Sequence, residues 1–363
     1  MEVGFEMNPE QIVDTARTLV ARGKGLLAMD ESNATCGRRF TEVGIPSTEA
    51  FRRAYREMIV TTPGLGECIS GVILYDETIH QRSRDGTSFV EILADAGIIV
   101  GIKVDTGATD LAGWPGEKIT EGLDGLRARL QEYAHLGARF AKWRAVIAVD
   151  DVVPSMACID ANVHALARYA ALCQEAGLVP VVEPEVLMTG DHTLERCREV
   201  TEIVLQGVFD ALRTQRVMLE GMILKPNMVL PGLTCAHQDT VEEVADATVK
   251  SLLRVVPAAV PGIAFLSGGQ SGELASARLS CMNARFRLPE SRLPWPLAFS
   301  FARAIQQPAL QIWRGEEANV AAAQKALSHR ARCNHAALSG EYDVAMENRE
   351  SDARIQPLRT AAA

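Results

Sequence analysis

Lys225 follows an apolar run, Met222-Ile-Leu224, and is followed at once by Pro226. Proline cannot donate to a sheet ladder and favours an extended residue before it, so the lysine is expected at the C-terminal edge of a strand. An amine held there among apolar neighbours is suited to attack a carbonyl, because desolvation and a nearby second cation both favour the uncharged amine. For the residue taken alone, a lysine whose head simply reaches water is the competing reading. Charged residues recur, however, at the ends of similar runs: Asp30-Glu31-Ser32, Lys103 with Asp105, Lys142 with Arg144, and Glu183 with Glu185. Side chains alternate along a strand, so Lys142 and Arg144 share one face, as do Glu183 and Glu185. Turned inward beside Lys225 and Asp30, they would satisfy one another, as buried charges must. Such a set suits imine chemistry: Glu183 moves protons through the carbinolamine and its dehydration, and Asp30 exchanges the proton of a substrate hydroxyl. The iminium ion is an electron sink for a carbanion on the neighbouring carbon, so a carbon-carbon bond is made or broken.

A second group of residues is suited to hold anions. Ser267-Gly-Gly-Gln-Ser-Gly272 offers backbone N–H groups, including those of Gly268 and Gly269, at a helix start, with Ser300 and Arg303 on the next run. Arg38 and Arg39, with Lys103 and Arg144, are candidates for a second phosphate site across the mouth. Arg52 is a further candidate, on a helical segment where a solvated surface position is an equal reading. Two cationic regions imply an extended substrate with phosphate at both ends.

Positioning these groups requires strand ends gathered in one place. Apolar β-like runs fall at 25–30, 69–75, 98–105, 138–147, 178–185, 221–225, 262–267 and 297–301. Helical patterns lie between them, at 48–60, 88–94, 122–136, 160–175, 193–213, 240–255, 272–283 and 317–338, after a first helix starting near Asn8-Pro9. Runs that are nearly continuous in apolar residues and alternate with helices imply parallel strands covered on their outer side. The expected fold is therefore α/β, a single-domain (β/α)8 TIM barrel over residues 1–338, with a polar, mobile C-terminal arm at 339–363.

Composition excludes several classes of function. The 363 residues carry a net charge of -9, which argues against nucleic-acid or acidic-membrane partners. No tract is long and apolar enough to span a bilayer, and no signal peptide is expected from the first residues. Eight dispersed cysteines without a C-x-x-C pair read as reduced thiols of a cytoplasmic protein. The histidines are equally dispersed, with no H-E-x-x-H and no close spacing of ligands, so no dedicated zinc site and no cofactor are expected.

Six stretches together carry a family resemblance: Gly23-Lys-Gly-Leu-Leu-Ala-Met-Asp-Glu-Ser-Asn-Ala-Thr-Cys36, Gly101-Ile-Lys-Val-Asp105, Phe140-Ala-Lys-Trp-Arg144, Val182-Glu-Pro-Glu185, Leu224-Lys-Pro-Asn-Met228 and Phe265-Leu-Ser-Gly-Gly-Gln-Ser271. The chain resembles class I fructose-bisphosphate aldolases, the plant and bacterial branch most, from about Pro9 to about Tyr342. The resemblance implies Lys225 as the Schiff-base lysine and Glu183 as the acid/base of imine formation. Asp30, Lys142 and Glu185 match further active-site positions. Ser267, Gly268, Gly269, Ser300 and Arg303 match contacts to one substrate phosphate, and Arg39 matches another substrate contact. Also implied are reversible cleavage of fructose 1,6-bisphosphate into triose phosphates, no metal requirement and a homotetramer. Two departures stand out. Phe301 replaces a common tyrosine, and the chain ends Leu358-Arg-Thr-Ala-Ala-Ala363 where many relatives end in a tyrosine that assists proton transfer. Two rival readings of the residues are a phosphate-binding isomerase with Glu183 as base, and a barrel kept only for binding.

Overall fold

The computed structural model describes residues 8–286 and 292–348. In chain order its strands are β1 (Gly25–Ala28), β2 (Ile69–Leu74), β3 (Ile99–Lys103), β4 (Gly107–Asp110), β5 (Lys118–Glu121), β6 (Phe140–Ile147), β7 (Val179–Val186), β8 (Ile223–Leu224), β9 (Ile263–Phe265) and β10 (Leu297–Phe301). β4 and β5 form an antiparallel hairpin; the other eight run parallel and close into a barrel in the order β1-β10-β9-β8-β7-β6-β3-β2. Each barrel strand falls inside one of the eight apolar runs, apart from β7, which extends one residue further to Val186, and the single-domain (β/α)8 expectation is met.

The helices begin where the sequence supplies caps. The side chains of Asn8, Thr48, Ser88, Thr193 and Thr240 each accept a backbone N–H of the first turn, which satisfies a donor that the helix itself leaves free. Three elements escape the sequence pattern. The helix Asn33–Glu42 buries only Cys36, Gly37 and Phe40, too few apolar positions to show a periodicity. Pro308 interrupts the helix Arg303–Trp313, and the β4–β5 hairpin is largely exposed and lacks apolar alternation. The helix expected from 160 starts earlier, at Met156, under a Ser155 cap.

Two apolar layers hold the barrel. One lies between strands and helices. The other fills the interior with Leu26, Ala28, Ile73, Phe140, Val179, Val181, Ile223, Ala264 and Ala298, and the helix Pro9–Leu19 closes its lower end with Ile12, Ala16 and Leu19. Phe140 occupies the space that two glycines leave open: a Cβ on Gly101 would lie 2.3 Å from its ring, and one on Gly71 3.1 Å. The segment after Ser339, expected as a mobile arm, is described to Asn348, and there it turns back onto the last helix. Tyr342 donates to Glu347 at 2.7 Å, and Glu347 pairs with Arg330. The terminal residues Leu358 to Ala363 lie outside the described residues.

Candidate active site

The interior residues climb each strand in steps of two, and on five of the eight strands the apolar layer gives way to polar side chains. Ala28 is followed on its face by Asp30, Phe140 by Lys142 and Arg144, Val181 by Glu183 and Glu185, Ile223 by Lys225, and Ala298 by Ser300. Lys225 stands one residue past β8, yet its N–H still donates to Val182 at 2.8 Å. Pro226 then ends the donation, and its carbonyl accepts from Leu266 at 3.1 Å. The backbone of the lysine is thus held by both neighbouring strands while its side chain enters the barrel.

There, four groups form one chain of contacts. Lys225 Nζ lies 2.9 Å from Glu183 Oε1, Lys142 Nζ lies 3.1 Å from Glu183 Oε2, and Lys142 Nζ lies 2.7 Å from Asp30 Oδ2. Lys142, Glu183 and Lys225 are each only 3% exposed, so these ionisable groups depend on one another rather than on water. Burial pushes the Asp30 and Glu183 carboxyls up, but Lys142 and Lys225 more than offset it and hold both below the ordinary carboxylate range. Burial likewise disfavours the Lys142 ammonium, while Asp30 and Glu183 overcome that and raise its pKa. One amine is therefore locked as a cation between two carboxylates, and the other shares a carboxylate within proton-transfer distance.

The carboxylate shifts have a consequence for stability. A carboxyl whose folded pKa is depressed stabilises the fold above its unfolded value, about 4 for both residue types, and that contribution is lost as pH falls through the folded value. The melting temperature should therefore drop steeply on acidification below about pH 4. Asp30→Asn, which removes one of the two groups, should flatten that drop. Identical acid slopes for the two proteins would count against the ion-pair account.

Across the mouth, the turn after β9 has its two glycines in left-handed conformations, with φ +54° at Gly268 and +94° at Gly269. A Cβ on Gly268 would lie 1.5 Å from Met188 Cε, and one on Gly269 would face Arg303 Nη2 at 3.5 Å. The turn therefore presents bare backbone beside a guanidinium. Gln270 donates to the Ser267 carbonyl at 3.0 Å and accepts from the buried Arg278 at 2.8 Å, which fixes its shape. Ser300 Oγ is buried without a hydrogen-bond partner, an unusual state for a native hydroxyl and one that a ligand oxygen would relieve. We expect Gly268→Ala to cost about 1–2 kcal/mol of stability from the left-handed backbone alone, with Met188 displaced in addition. Thermal unfolding and substrate KM measure this. An unchanged KM would argue against a ligand at this turn.

The remaining predicted residues are dispersed around the rim. Arg39, on the helix Asn33–Glu42, pairs with Glu31 beside Asp30; Arg38, on the exposed side, donates to Thr35 at 3.1 Å. Arg144 pairs with Glu185 and is 43% exposed, facing the opening. Lys103 is bound to Asp105 at 2.6 Å, and Asp105 also accepts the Arg144 N–H at 3.2 Å. Arg52 lies farther out, its guanidinium held by Glu77 at 2.8 Å, a carboxylate that also takes Arg56 and Asn33. Glu77 was missed in the sequence, although it lies just past the end of β2, where the strand-end rule would have found it. Phe301 alternates with Ser300 and packs in the layer between strand and helices, its ring 5.6 Å from that of Phe299, so it does not enter the barrel.

Comparison with known proteins shows the family of the chain. Residues 11–358 match the family model described as fructose-bisphosphate aldolase class-I. A probable fructose-bisphosphate aldolase class 1 of Xanthomonas campestris pv. campestris is 56% identical over 93% of this chain and 99% of its own. A cytosolic fructose-bisphosphate aldolase of Arabidopsis thaliana is 50% identical, covering 92% of each chain. Among solved structures, fructose-bisphosphate aldolase from Plasmodium falciparum, in a ternary complex with TRAP and a small-molecule inhibitor, superposes with a TM-score of 0.90. It is 44% identical over 94% of this chain and 99% of its own.

Proposed function

The chain belongs to the class I fructose-bisphosphate aldolases, and from that premise we propose that Lys225 is the amine through which it reversibly cleaves fructose 1,6-bisphosphate to dihydroxyacetone phosphate and glyceraldehyde 3-phosphate. The observation that carries this assignment is the buried Lys225–Glu183 contact of 2.9 Å, which gives the amine a proton acceptor inside a closed barrel. Glu183 takes a proton from Lys225, and the free amine attacks the ketose carbonyl carbon C2. The same carboxyl returns a proton to the carbinolamine hydroxyl, which leaves as water and yields the iminium ion. Asp30 accepts the proton of the C4 hydroxyl. The C3–C4 bond then breaks, its electron pair enters the iminium as an enamine, and glyceraldehyde 3-phosphate departs. Protonation at C3 and addition of water to the imine release dihydroxyacetone phosphate and restore Lys225. Lys142 lies between Asp30 and Glu183 and favours the ionised form of each before and after these proton transfers.

The roles of the rim residues follow from charge. The turn Ser267-Gly268-Gly269 with Ser300 and Arg303 takes one phosphate, supported by the orphan Ser300 hydroxyl. Arg39, Arg144 and Lys103 serve the other end, with Glu185 orienting Arg144. Arg52 acts there through Glu77. Residues 1–338 form the catalytic barrel and residues 339–363 a C-terminal arm, of which Glu347 pairs with Arg330 of the last helix. No metal or cofactor enters the chemistry. No helix of the described residues is long and apolar enough to cross a membrane. A cytoplasmic homotetramer acting in glycolysis, gluconeogenesis or the Calvin cycle fits the cytosolic Arabidopsis relative and the exposed Ile203 and Leu253 on neighbouring helices.

Trapping tests the covalent step. Borohydride added with dihydroxyacetone phosphate should add the reduced triose to the peptide containing Lys225, seen as a mass increase. An unmodified protein that remained active would favour the isomerase reading instead.

A further inference from the structure

A cluster made of residues outside the candidate active site has the makings of a metal site. His329 and Cys333 stand one turn apart on the helix Val320–Leu338, and Glu347 comes from the short 3-10 helix Val344–Asn348 that folds back onto it. One ligand atom from each residue lies within 4.8 Å of the other two. His329 Nε2 is 3.6 Å from Cys333 Sγ and 3.7 Å from Glu347 Oε2. Bond lengths of about 2.3 Å to sulfur and about 2.0–2.1 Å to nitrogen and oxygen, set at tetrahedral angles, place such atoms roughly 3.4–3.6 Å apart. The cluster is therefore near the required spacing before any ion arrives.

Its surroundings point the same way. Glu347 is held through Oε1, which accepts from Tyr342 at 2.7 Å and pairs with Arg330, so that Oε2 is left facing His329. Arg330 is itself fixed, donating to the Ala304 carbonyl at 3.1 Å and to Ser276 at 2.8 Å. Outer partners that orient one carboxylate oxygen and leave the other open are what a metal-binding carboxylate needs.

We propose that His329, Cys333 and Glu347 bind a divalent zinc ion, with a water in the fourth position, and that the ion fastens residues 344–348 to the last helix. Thiolate, imidazole and carboxylate in a small tetrahedral set favour zinc over magnesium or calcium. Binding forms a zinc–sulfur bond, breaks the S–H bond and releases one proton from Cys333 to solvent. The thiolate and the Glu347 carboxylate offset the ion's charge, with Arg330 the remaining cation beside the site. No ligand touches the candidate active site, so the ion is structural. The sequence reading expected no zinc site because it sought ligand pairs in familiar motifs; here a His-x-x-x-Cys turn is completed only by a residue from the following segment.

Cobalt is the probe. The full chain, reduced, stripped with EDTA and titrated with Co2+ alone, should bind one ion with thiolate-to-cobalt charge-transfer absorption and the intense visible bands of a tetrahedral site, and Zn2+ should displace it. Cys333→Ser should lose the charge-transfer band, and Tyr342→Phe should weaken binding by at least about tenfold. Zinc should raise the melting temperature of the unmodified chain but not of Cys333→Ser. Should Cys333→Ser fail to fold, His329→Asn carries the same comparison through loss of the tetrahedral bands. Turnover before and after EDTA should be equal; a fall with EDTA would put the ion at the reacting centre and overturn the assignment. Absence of binding, or an identical cobalt spectrum in the variants, would overturn it equally.

Discussion

Lys225→Met is expected to leave the barrel folded and to lower kcat by at least about 10⁴-fold, because the variant has no nucleophile with which to form the imine. Methionine matches the lysine stem in length and is buried without cost beside Ile223 and Leu224, both fully buried. Glu183 loses one cationic neighbour but keeps Lys142 at 3.1 Å to offset its charge. Circular dichroism and thermal unfolding should therefore resemble those of the unmodified chain while turnover disappears. A variant that still turned over at a tenth of the normal rate would mean that another amine does the work. Lys142 is the only other amine within the web, and with Asp30 and Glu183 holding its proton it is poorly placed to replace Lys225.

Glu183→Gln should fail at a different step. The carboxylate touches both amines, Lys225 at 2.9 Å and Lys142 at 3.1 Å. Glutamine keeps its size and one acceptor oxygen but cannot move a proton. Loss of a positioned acid/base costs about 10²–10⁴-fold, and we expect a fall in kcat of that order with little change in KM, since the phosphate contacts are elsewhere. Single-turnover mixing quenched with borohydride should show the trapped imine accumulating more slowly in the variant. Accumulation at the normal rate would assign proton transfer to another group, with Asp30 the next in line.

The zinc proposal would also change the view of the C-terminal arm. The polar composition after Ser339 pointed to a free tail, yet Glu347 and Tyr342 bind it to Arg330 and the last helix. Composition reports how much apolar surface a segment offers for burial. It does not report that a single carboxylate finds a buried guanidinium.

The amino-acid sequence by itself determined the barrel and which charged residues stand at the ends of its strands. Continuous apolar runs broken by helices leave few ways to bury both faces of each strand, and Pro226 marks where the lysine strand must end. The two-residue period put Lys142 with Arg144, and Glu183 with Glu185, on one face of their strands. Only the tertiary structure decided which charge meets which. Lys142 bridges Asp30 and Glu183, Arg52 is taken up by Glu77, and Lys103 by Asp105. His329 and Cys333 likewise meet Glu347 only when the segment after the last helix folds back. Periodicity along one strand or helix fixes the direction of a side chain, whereas its partner comes from another element whose height and rotation are set by packing of the whole barrel.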